Sequence, residues 1–212
     1  AGITQRINGS DFRHRHEAVT ELTEMMLGNP ESCDGKTTQL VELYVGRLGD
    51  NNAKVAAAAL QGLERVAAAY GSSLEGSAGV LVPALAANLA NTSVQIRTLA
   101  SSVLDIVAKS SDPVLLAQPL SSAIDFGNQR ARASLLDKMR IIVRSLHDKR
   151  PPLLFKFVVQ SALKTLEEHR ADVKSSNAAL VRELYSVVGE SLFTNSGVRL
   201  PDKTVMRLRE II

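Results

Sequence analysis

Hydrophobic and polar residues follow one another along most of this chain with the three-to-four-residue spacing of an amphipathic α-helix. The clearest example runs from Asp50 to Tyr70, where apolar side chains recur on one helix face and charged side chains fall elsewhere. The polar run 50–52 precedes this face, and its side chains can accept hydrogen bonds from the free amides of a first helical turn. The pattern therefore predicts a helix that begins near Ala53.

The same helix face returns at a regular interval. A shift of 41 residues superimposes three sets of small or apolar residues, which are Ala18, Ala59 and Ala100; Leu22, Leu63 and Leu104; and Met25, Val66 and Val107. With other spacers the face returns twice more, at Ala131, Leu135, Met139 and Ile142, and at Leu180, Leu184 and Val187. A unit of about 40 residues with two helices is typical of HEAT repeats, in which stacked pairs bury a core that no single pair could bury.

The predicted fold class is all-α, an α-solenoid of five to six HEAT repeats in a single domain over 1–212. The repeats are placed at 1–28, 36–71, 76–110, 112–148 and 151–191, with a partial sixth at 200–212. Helices are predicted at 3–7, 12–27, 37–48, 53–70, 77–90, 113–124, 129–147, 151–168 and 174–190, with a last one from Pro201. Pro83 and Pro119 stand at matching places in two short helices, where we expect kinks.

Composition limits the kinds of partner and the cellular environment that we expect for the protein. The net charge is only +3, and basic residues are mixed with acidic ones, unlike the strong basic footprint of a nucleic-acid binder. The one cysteine, Cys33, cannot build a disulfide framework, and no charged-then-apolar leader opens the chain, so we expect a reducing, intracellular setting. The longest uncharged run, 76–96, contains Pro83 and Asn88, so it predicts a buried helix and a turn rather than a membrane span.

Candidate chemistry is sparse. Nucleophilic catalysis needs Ser, Cys or Thr beside a base, and zinc needs clustered Cys and His; neither pattern occurs in the sequence. His14 and His16 are two residues apart, about 200° around a helix axis, so a pair of solvated histidines is favoured over a metal site. We therefore expect no enzymatic activity, no cofactor and no metal.

The turns before the long helices are the remaining candidate site. In a stacked array they are expected to emerge along one edge, with an aromatic at one end and cations along it, which suits a protein-binding surface. The residues concerned are Phe12, 51–54, 91–93, 128–132 and 169–174. The alternative for Phe12 is a buried plug or staple between the first two helices. The alternative for Lys54, Arg130 and Lys174 is a set of solvated helix starts.

These turns also support a family resemblance. The run 8–18, Asn-Gly-Ser-Asp-Phe-Arg-His-Arg-His-Glu-Ala, resembles the opening of TOG domains, where a polar turn, an aromatic residue, basic residues and then Glu-Ala begin the second helix of the first HEAT repeat. The runs 50–55 and 91–97 look like the turns of the next repeats. The resemblance covers nearly the whole chain in layout, and it is closest to the TOG domains of CLASP and crescerin proteins.

The resemblance implies a flat paddle of up to six HEAT repeats, monomeric when isolated, that binds αβ-tubulin or the microtubule lattice through its turns. It assigns the aromatic contact to Phe12, which stands where Trp is usual. The polar and cationic contacts fall on Asn52, Lys54, Thr92, Arg97, Arg130, Arg132, Arg170 and Lys174. A second departure is the third turn, which has no cation before Arg97.

The leading hypothesis is a non-catalytic tubulin- or microtubule-binding module of a larger protein that regulates microtubule dynamics. Its expected place is the cytoplasm and cytoskeleton, with the cilium, the axoneme and the centrosome as candidates. The rival hypothesis is a HEAT-repeat scaffold that binds another protein and not tubulin, in which case Phe12 should be buried. Nucleic-acid binding through 130–150 is disfavoured because Asp137 and Asp148 interrupt the basic residues.

Overall fold

A computed structural model of the protein describes residues 2–194 and 200–212, which form helices and no strand. The α-helices are α1 (Ile3–Ile7), α2 (Phe12–Gly28), α3 (Thr37–Leu48), α4 (Ala53–Tyr70), α5 (Ala78–Leu89), α6 (Val94–Ser110), α7 (Pro113–Phe126), α8 (Arg132–Lys149), α9 (Pro151–Leu153), α10 (Gln160–Lys164), α11 (Ala171–Val188), α12 (Ser191–Thr194) and α13 (Asp202–Ile211). Short 3₁₀-helices lie at Pro30–Cys33, Gly71–Ser77 and Gln129–Ala131. Within the described residues, no helix is both long and apolar enough to cross a membrane.

Most helix bounds agree with the sequence prediction to within two residues. Helix α4 begins at Ala53, where the Asn52 side chain accepts a hydrogen bond from the Lys54 backbone N–H. Two starts differ by three residues: α8 begins at Arg132 rather than 129, and α11 begins at Ala171 rather than 174. The cap residue of α11, Arg170, makes no side-chain cap hydrogen bond and gives no start signal. A capping side chain therefore marks the start of α4, and the start of α11 has none.

The predicted helix over 151–168 is a composite. A π-helix at Leu154–Val159 separates the short helices α9 and α10, and the regular helix ends at Lys164. A π-helix places one extra residue in a turn, so the apolar pattern alone cannot distinguish it from an α-helix. Leu154, Val158 and Val159 are buried, so the segment still packs against its neighbours.

The helices pack as two compact units, one up to Ser111 and one from Asp112 onward. The single domain over 1–212 stays a prediction. In the first unit, α4 packs between α2 and α6. Arg65 of α4 donates to Glu24 of α2 over 2.7 Å, and Ser102 of α6 donates to Glu64 of α4. These pairs join equivalent helix positions about 40 residues apart, so the three long helices run parallel, with their first turns at the same end.

Small residues allow the long helices of the first unit to approach closely. Ala18, Ala59 and Ala100 are fully buried, as the 41-residue register predicted. The third set of that register is wrong at its first member, because Met26 is fully buried while Met25 is only half-buried. When two adjacent residues are both apolar, the helical period alone does not show which of the two is buried.

The second unit repeats this arrangement with α8 and α11. Arg144 of α8 donates to Glu183 over 2.7 Å and to Ser186 over 3.1 Å, both on α11. Leu135 and Leu180 are fully buried between these helices. Because both donor and acceptors lie about a dozen residues into their helices, α8 and α11 also run parallel, with their first turns side by side.

Candidate functional site

Five turns connect each short helix to the long helix that follows it, and we number them turn 1 (8–11), turn 2 (49–52), turn 3 (90–93), turn 4 (127–128) and turn 5 (165–170). Each ends at a cap residue; these are Asp11, Asn52, Ser93, Asn128 and Arg170. The first four caps accept a hydrogen bond from a backbone N–H two or three residues further on. Parallel long helices place turns 1 to 3 along one edge of the first unit, and turns 4 and 5 along one edge of the second.

An arginine four residues after the cap holds the backbone of turns 1 and 3. In turn 1, Nη1 of Arg15 donates to the carbonyl oxygens of Gly9 and Ser10, over 3.0 and 2.7 Å. In turn 3, Nη1 of Arg97 donates to the carbonyl oxygens of Asn91 and Thr92, over 2.7 and 2.8 Å. The two arginines occupy the same position in their repeats and make the same pair of bonds. Arg97 and the Thr92 backbone are thus engaged within the turn, while the Thr92 side chain is exposed.

Arg15 also connects turn 1 to turn 2. Its Nε and Nη2 donate to the two carboxylate oxygens of Asp50 over 2.8 and 2.9 Å, and Arg47 donates to the same carboxylate over 3.1 Å. Burial of Asp50 opposes its ionisation, but the bonds from Arg15 and the Asn52 backbone N–H outweigh burial and lower the pKa of the carboxyl. The carboxylate therefore stays charged and fixes the two turns together.

In the second unit, the arginine four residues after the cap makes different contacts. Arg132, four residues after its cap, donates to the carbonyl oxygen of Ile124 over 3.1 Å and pairs with the Glu168 carboxylate of turn 5. Arg170 donates from Nη1 to the carbonyl oxygen of Gln129 over 2.8 Å and pairs with Asp172. Both guanidinium groups are thus occupied within the unit, and they join turn 4 to turn 5.

The exposed cations lie two residues after the cap. Arg13, Lys54 and Arg130 occupy this position in turns 1, 2 and 4, and all three are exposed. Among the described residues, Lys54 and Arg130 have no salt-bridge partner. Lys54 lies in the first turn of α4, and Arg130 lies in the 3₁₀-helix that leads into α8; neither segment has an acidic residue in its first turn. The cations therefore face the positive end of a helix dipole, which disfavours them for stability.

Phe12 begins α2, directly after the Asp11 cap. Its side chain is 39% exposed, and the Arg13 guanidinium lies 5.8 Å from the centre of its ring. This exposure contradicts the alternative of a buried plug between the first two helices. Phe12 and Lys54 lie at neighbouring turns of one unit, with the Arg15–Asp50 pair behind them.

Lys174 occupies the fourth position after its cap, where turns 1, 3 and 4 have an arginine. It is exposed, and it lines a shallow cleft beside Asn177 and Arg207. The nine predicted residues thus divide by structural role. Phe12, Lys54, Arg130 and Lys174 present side chains to solvent, as does Thr92, while Asn52 caps its helix and Arg97, Arg132 and Arg170 hold turns.

In residues 2–194 and 200–212 there is no group of three or more His, Cys, Asp or Glu side chains that could hold a metal ion. His14 and His16 are both exposed.

Comparison with solved structures identifies the architecture. A structure of tubulin recruitment and assembly by microtubule polymerases with tumor overexpressed gene (TOG) domain arrays matches with a TM-score of 0.76 and 15% identity, over 98% of this chain and 44% of that one. The chain has a TOG-domain fold. The predicted all-α repeat architecture is confirmed.

Curated relatives of this TOG-fold chain point the same way, although no family model matches it. TOG array regulator of axonemal microtubules protein 1 of Mus musculus is 23% identical over 209 residues, which cover 94% of this chain and 12% of the relative. The crescerin-like protein che-12 of Caenorhabditis elegans is 27% identical over 181 residues, covering 79% of this chain and 14% of the relative. The chain therefore spans about an eighth of the length of these relatives, and the predicted TOG resemblance is confirmed.

Sequence reasoning missed two exposed apolar residues at the turns of this TOG fold. Val94 is the first residue after the cap of turn 3, the position that Phe12 occupies in turn 1, and it is 66% exposed. Phe126 lies two residues before the cap of turn 4 and is 87% exposed. Val94 could have been found from the 41-residue register, since it lies two periods after Phe12. Nothing in the apolar pattern of α7 distinguishes Phe126 from a core residue.

Proposed function

We propose that this TOG-fold chain is a non-catalytic module that binds αβ-tubulin, free or in the microtubule lattice, and regulates microtubule dynamics. The observation that supports it most is that the turns contain two classes of side chain with different roles. Arginines in the fourth position after the cap hold the backbone, which leaves Phe12 and the cations in the second position free to contact a partner.

Chemistry favours an acidic protein surface as the partner. Lys54 and Arg130 are exposed and unpaired among the described residues, and they stand where a helix dipole already gives positive potential. An acidic partner would supply the missing ion-pair partners of Lys54 and Arg130, and it would also offset the positive potential at these helix starts. Several modest polar contacts around one aromatic anchor need no deep pocket.

The names of the relatives indicate where such binding would act. The mouse relative is a regulator of axonemal microtubules, and the TOG resemblance implies tubulin as the ligand. We place the protein on the cytoskeleton, with the axoneme of the cilium as the favoured site. The exposure of Phe12 weighs against the rival scaffold, which required a buried Phe12.

Two binding assays test this function. The wild-type chain is run on gel filtration with αβ-tubulin and sedimented with microtubules, beside the double variant Phe12→Glu with Lys54→Ala. Removing the aromatic anchor and a cation is expected to weaken binding by at least about tenfold, and raising the salt concentration should weaken the wild type. If the wild type binds neither form of tubulin, the proposed function is wrong.

A matched control variant separates the turns from the rest of the surface. Val80, at the start of α5, is 41% exposed, close to the value for Phe12, and Lys109 is exposed at the end of α6. Both lie at the ends of their helices remote from turn 3. The double variant Val80→Glu with Lys109→Ala is expected to bind like wild type, and equal losses in the two double variants would exclude the turns as the binding surface.

A further inference from the structure

Phe126 is the most exposed large apolar side chain of the described residues, at 87%. It is the last residue of α7 and directly precedes turn 4. Leaving a phenylalanine in water forgoes the stabilisation that its burial would supply. Single exposed apolar residues are common on protein surfaces, so exposure alone assigns no role to Phe126.

The repeat comparison shows that the fold does not require an aromatic there. The equivalent residues, two before each cap, are Gly9, Asp50, Asn91 and Glu168. In every one of these four turns an arginine binds that residue, through its carbonyl oxygen in turns 1 and 3 and through its carboxylate in turns 2 and 5. Turn 4 alone has an apolar side chain at the position.

The backbone around Phe126 is fixed by other contacts. The Gly127 N–H donates to the carbonyl oxygen of Ala123 over 3.0 Å, and a Cβ added at Gly127 would lie 2.3 Å from that oxygen. The Asn128 side chain then accepts from the Arg130 N–H over 2.9 Å. The turn therefore holds its shape without help from the Phe126 ring, and the exposed Arg130 lies two residues after the cap of this turn.

We propose that Phe126 is a second aromatic anchor for tubulin, acting with Arg130 at turn 4 as Phe12 acts with Lys54 in the first unit. This inference rests on the proposed function and deepens it. The ring supplies apolar area that a protein surface can bury, and Arg130, exposed four residues further along the chain, supplies charge complementary to an acidic surface. Phenylalanine and arginine are both enriched in protein–protein interfaces relative to the rest of the surface.

The test measures the affinity of the full chain for αβ-tubulin heterodimers and for microtubules, with Phe126→Asn as the variant. Asparagine stands at the equivalent position of turn 3 as Asn91, so the variant should fold. We expect a loss of at least about tenfold in affinity, with an unchanged melting temperature. Phe126→Tyr, which keeps the ring, should retain affinity within about twofold.

Met206→Gln is the matched control, because Met206 is a 64% exposed apolar residue of the same unit on α13. It is expected to bind like wild type. Phe126→Asn binding within about twofold of wild type would overturn the inference while leaving the proposed function standing. An equal loss of affinity for Met206→Gln would also overturn it, since any exposed apolar side chain would then contribute to tubulin binding. Failure of the wild type to bind tubulin would instead remove the proposed function and this inference together.

Discussion

Arg15 and Asp50 form a bidentate ion pair that joins the first two turns. Nε of Arg15 lies 2.8 Å from Oδ2 of Asp50, and Nη2 lies 2.9 Å from Oδ1. The remaining guanidinium nitrogen of Arg15 donates to the turn 1 carbonyl oxygens of Gly9 and Ser10. One side chain thus joins two turns that are 35 or more residues apart in sequence. Because Phe12 follows one of these turns and Lys54 the other, the pair fixes the spacing of two proposed contacts.

Replacing Asp50 by Asn should lower the stability of the fold at neutral pH. The variant leaves the guanidinium groups of Arg15 and Arg47 without their charged acceptor, and we expect a loss of about 1–3 kcal/mol in the free energy of unfolding. The folded-state pKa of Asp50 lies below its ordinary value of about 3.9, so the ionised carboxylate stabilises the fold above that pH. This stabilisation disappears as the pH falls through the lowered pKa. Urea unfolding of both proteins from pH 7 to pH 3 measures the difference.

The difference between wild type and Asp50→Asn should therefore narrow as the pH falls below about 4. Glu42→Gln is the control, because Glu42 is an exposed acid in α3 of the same unit. It should leave the unfolding free energy within about 0.5 kcal/mol of wild type at each pH. A constant difference between wild type and Asp50→Asn across the range would show that the carboxylate charge is not what holds the two turns.

Gly62 should not tolerate a side chain, although it lies inside α4. A Cβ there would lie 2.3 Å from Thr23 Oγ1 and 2.9 Å from Tyr44 Cε1. Thr23 cannot move freely, because its hydroxyl bonds to Val19 O and to the Tyr44 hydroxyl over 2.9 and 2.7 Å. We expect Gly62→Ala to cost a net of about 1–3 kcal/mol in unfolding free energy, measured by urea unfolding, despite the better helix propensity of alanine.

Gly46→Ala is the matched control within α3. A Cβ at Gly46 meets no atom within 4 Å, so this variant should gain about 0.5–1 kcal/mol from helix propensity alone. If Gly62→Ala were as stable as wild type, the interface of α2 and α4 at Thr23 would have room for a methyl group, which would contradict the close contacts at Gly62.

The helices were predictable from sequence because their signals are local. Apolar residues recur periodically along the long helices, and a capping side chain marks the start of several of them, as Asn52 does for α4. The π-helix at Leu154–Val159 was not predictable, since it differs from an α-helix by one backbone hydrogen-bond step and keeps the apolar residues buried.

The roles of the turn cations were only partly predictable, because a charge in a sequence does not show its acceptor. Lys54 and Arg97 look alike as cations near a turn, yet Lys54 is exposed and Arg97 bonds to two carbonyl oxygens of its own turn. Position relative to the cap contains the missing information. A cation two residues after the cap is exposed in three turns, whereas an arginine four residues after it bonds back to the backbone in turns 1 and 3.

The tyrosines should ionise only at strongly alkaline pH. Burial raises the pKa of Tyr44 well above its usual range, and burial with the neighbouring Cys33 raises the pKa of Tyr70 to about 12. A hydrogen bond to Glu190 raises the pKa of Tyr185. Folding therefore favours the neutral phenols, and this contribution to stability is lost as the pH rises above about 10.

The chain has three tyrosines and no tryptophan, so ultraviolet absorbance follows tyrosinate formation without interference. We expect Tyr44 and Tyr70 to stay un-ionised at pH 10 in the folded protein, and the Tyr44 signal should appear together with loss of helical circular dichroism. Tyr44→Phe should remove that late step. A full tyrosinate signal at pH 10 with intact helicity would contradict the buried Tyr44–Thr23 bond.

Val94, rather than Arg97, should be the contact of turn 3 with tubulin. Val94 is 66% exposed at the position where turn 1 has Phe12, while Arg97 is engaged by Asn91 and Thr92. Val94→Ser should weaken tubulin binding by about three- to fivefold, or about 1 kcal/mol, with an unchanged melting temperature. Arg97→Gln should instead lower the unfolding free energy by about 1–2 kcal/mol, through loss of the two bonds that hold the turn.

Binding isotherms and thermal unfolding of the same preparations separate these roles. Thr98→Ser is the control, since Thr98 is exposed on the same helix as Val94 and lies outside the turn. It should bind and melt like wild type. The opposite pattern, in which Arg97→Gln abolishes binding with an unchanged melting temperature and Val94→Ser binds normally, would make Arg97 the contact. It would also show that an arginine bonded to its own turn can still leave that turn to meet a partner.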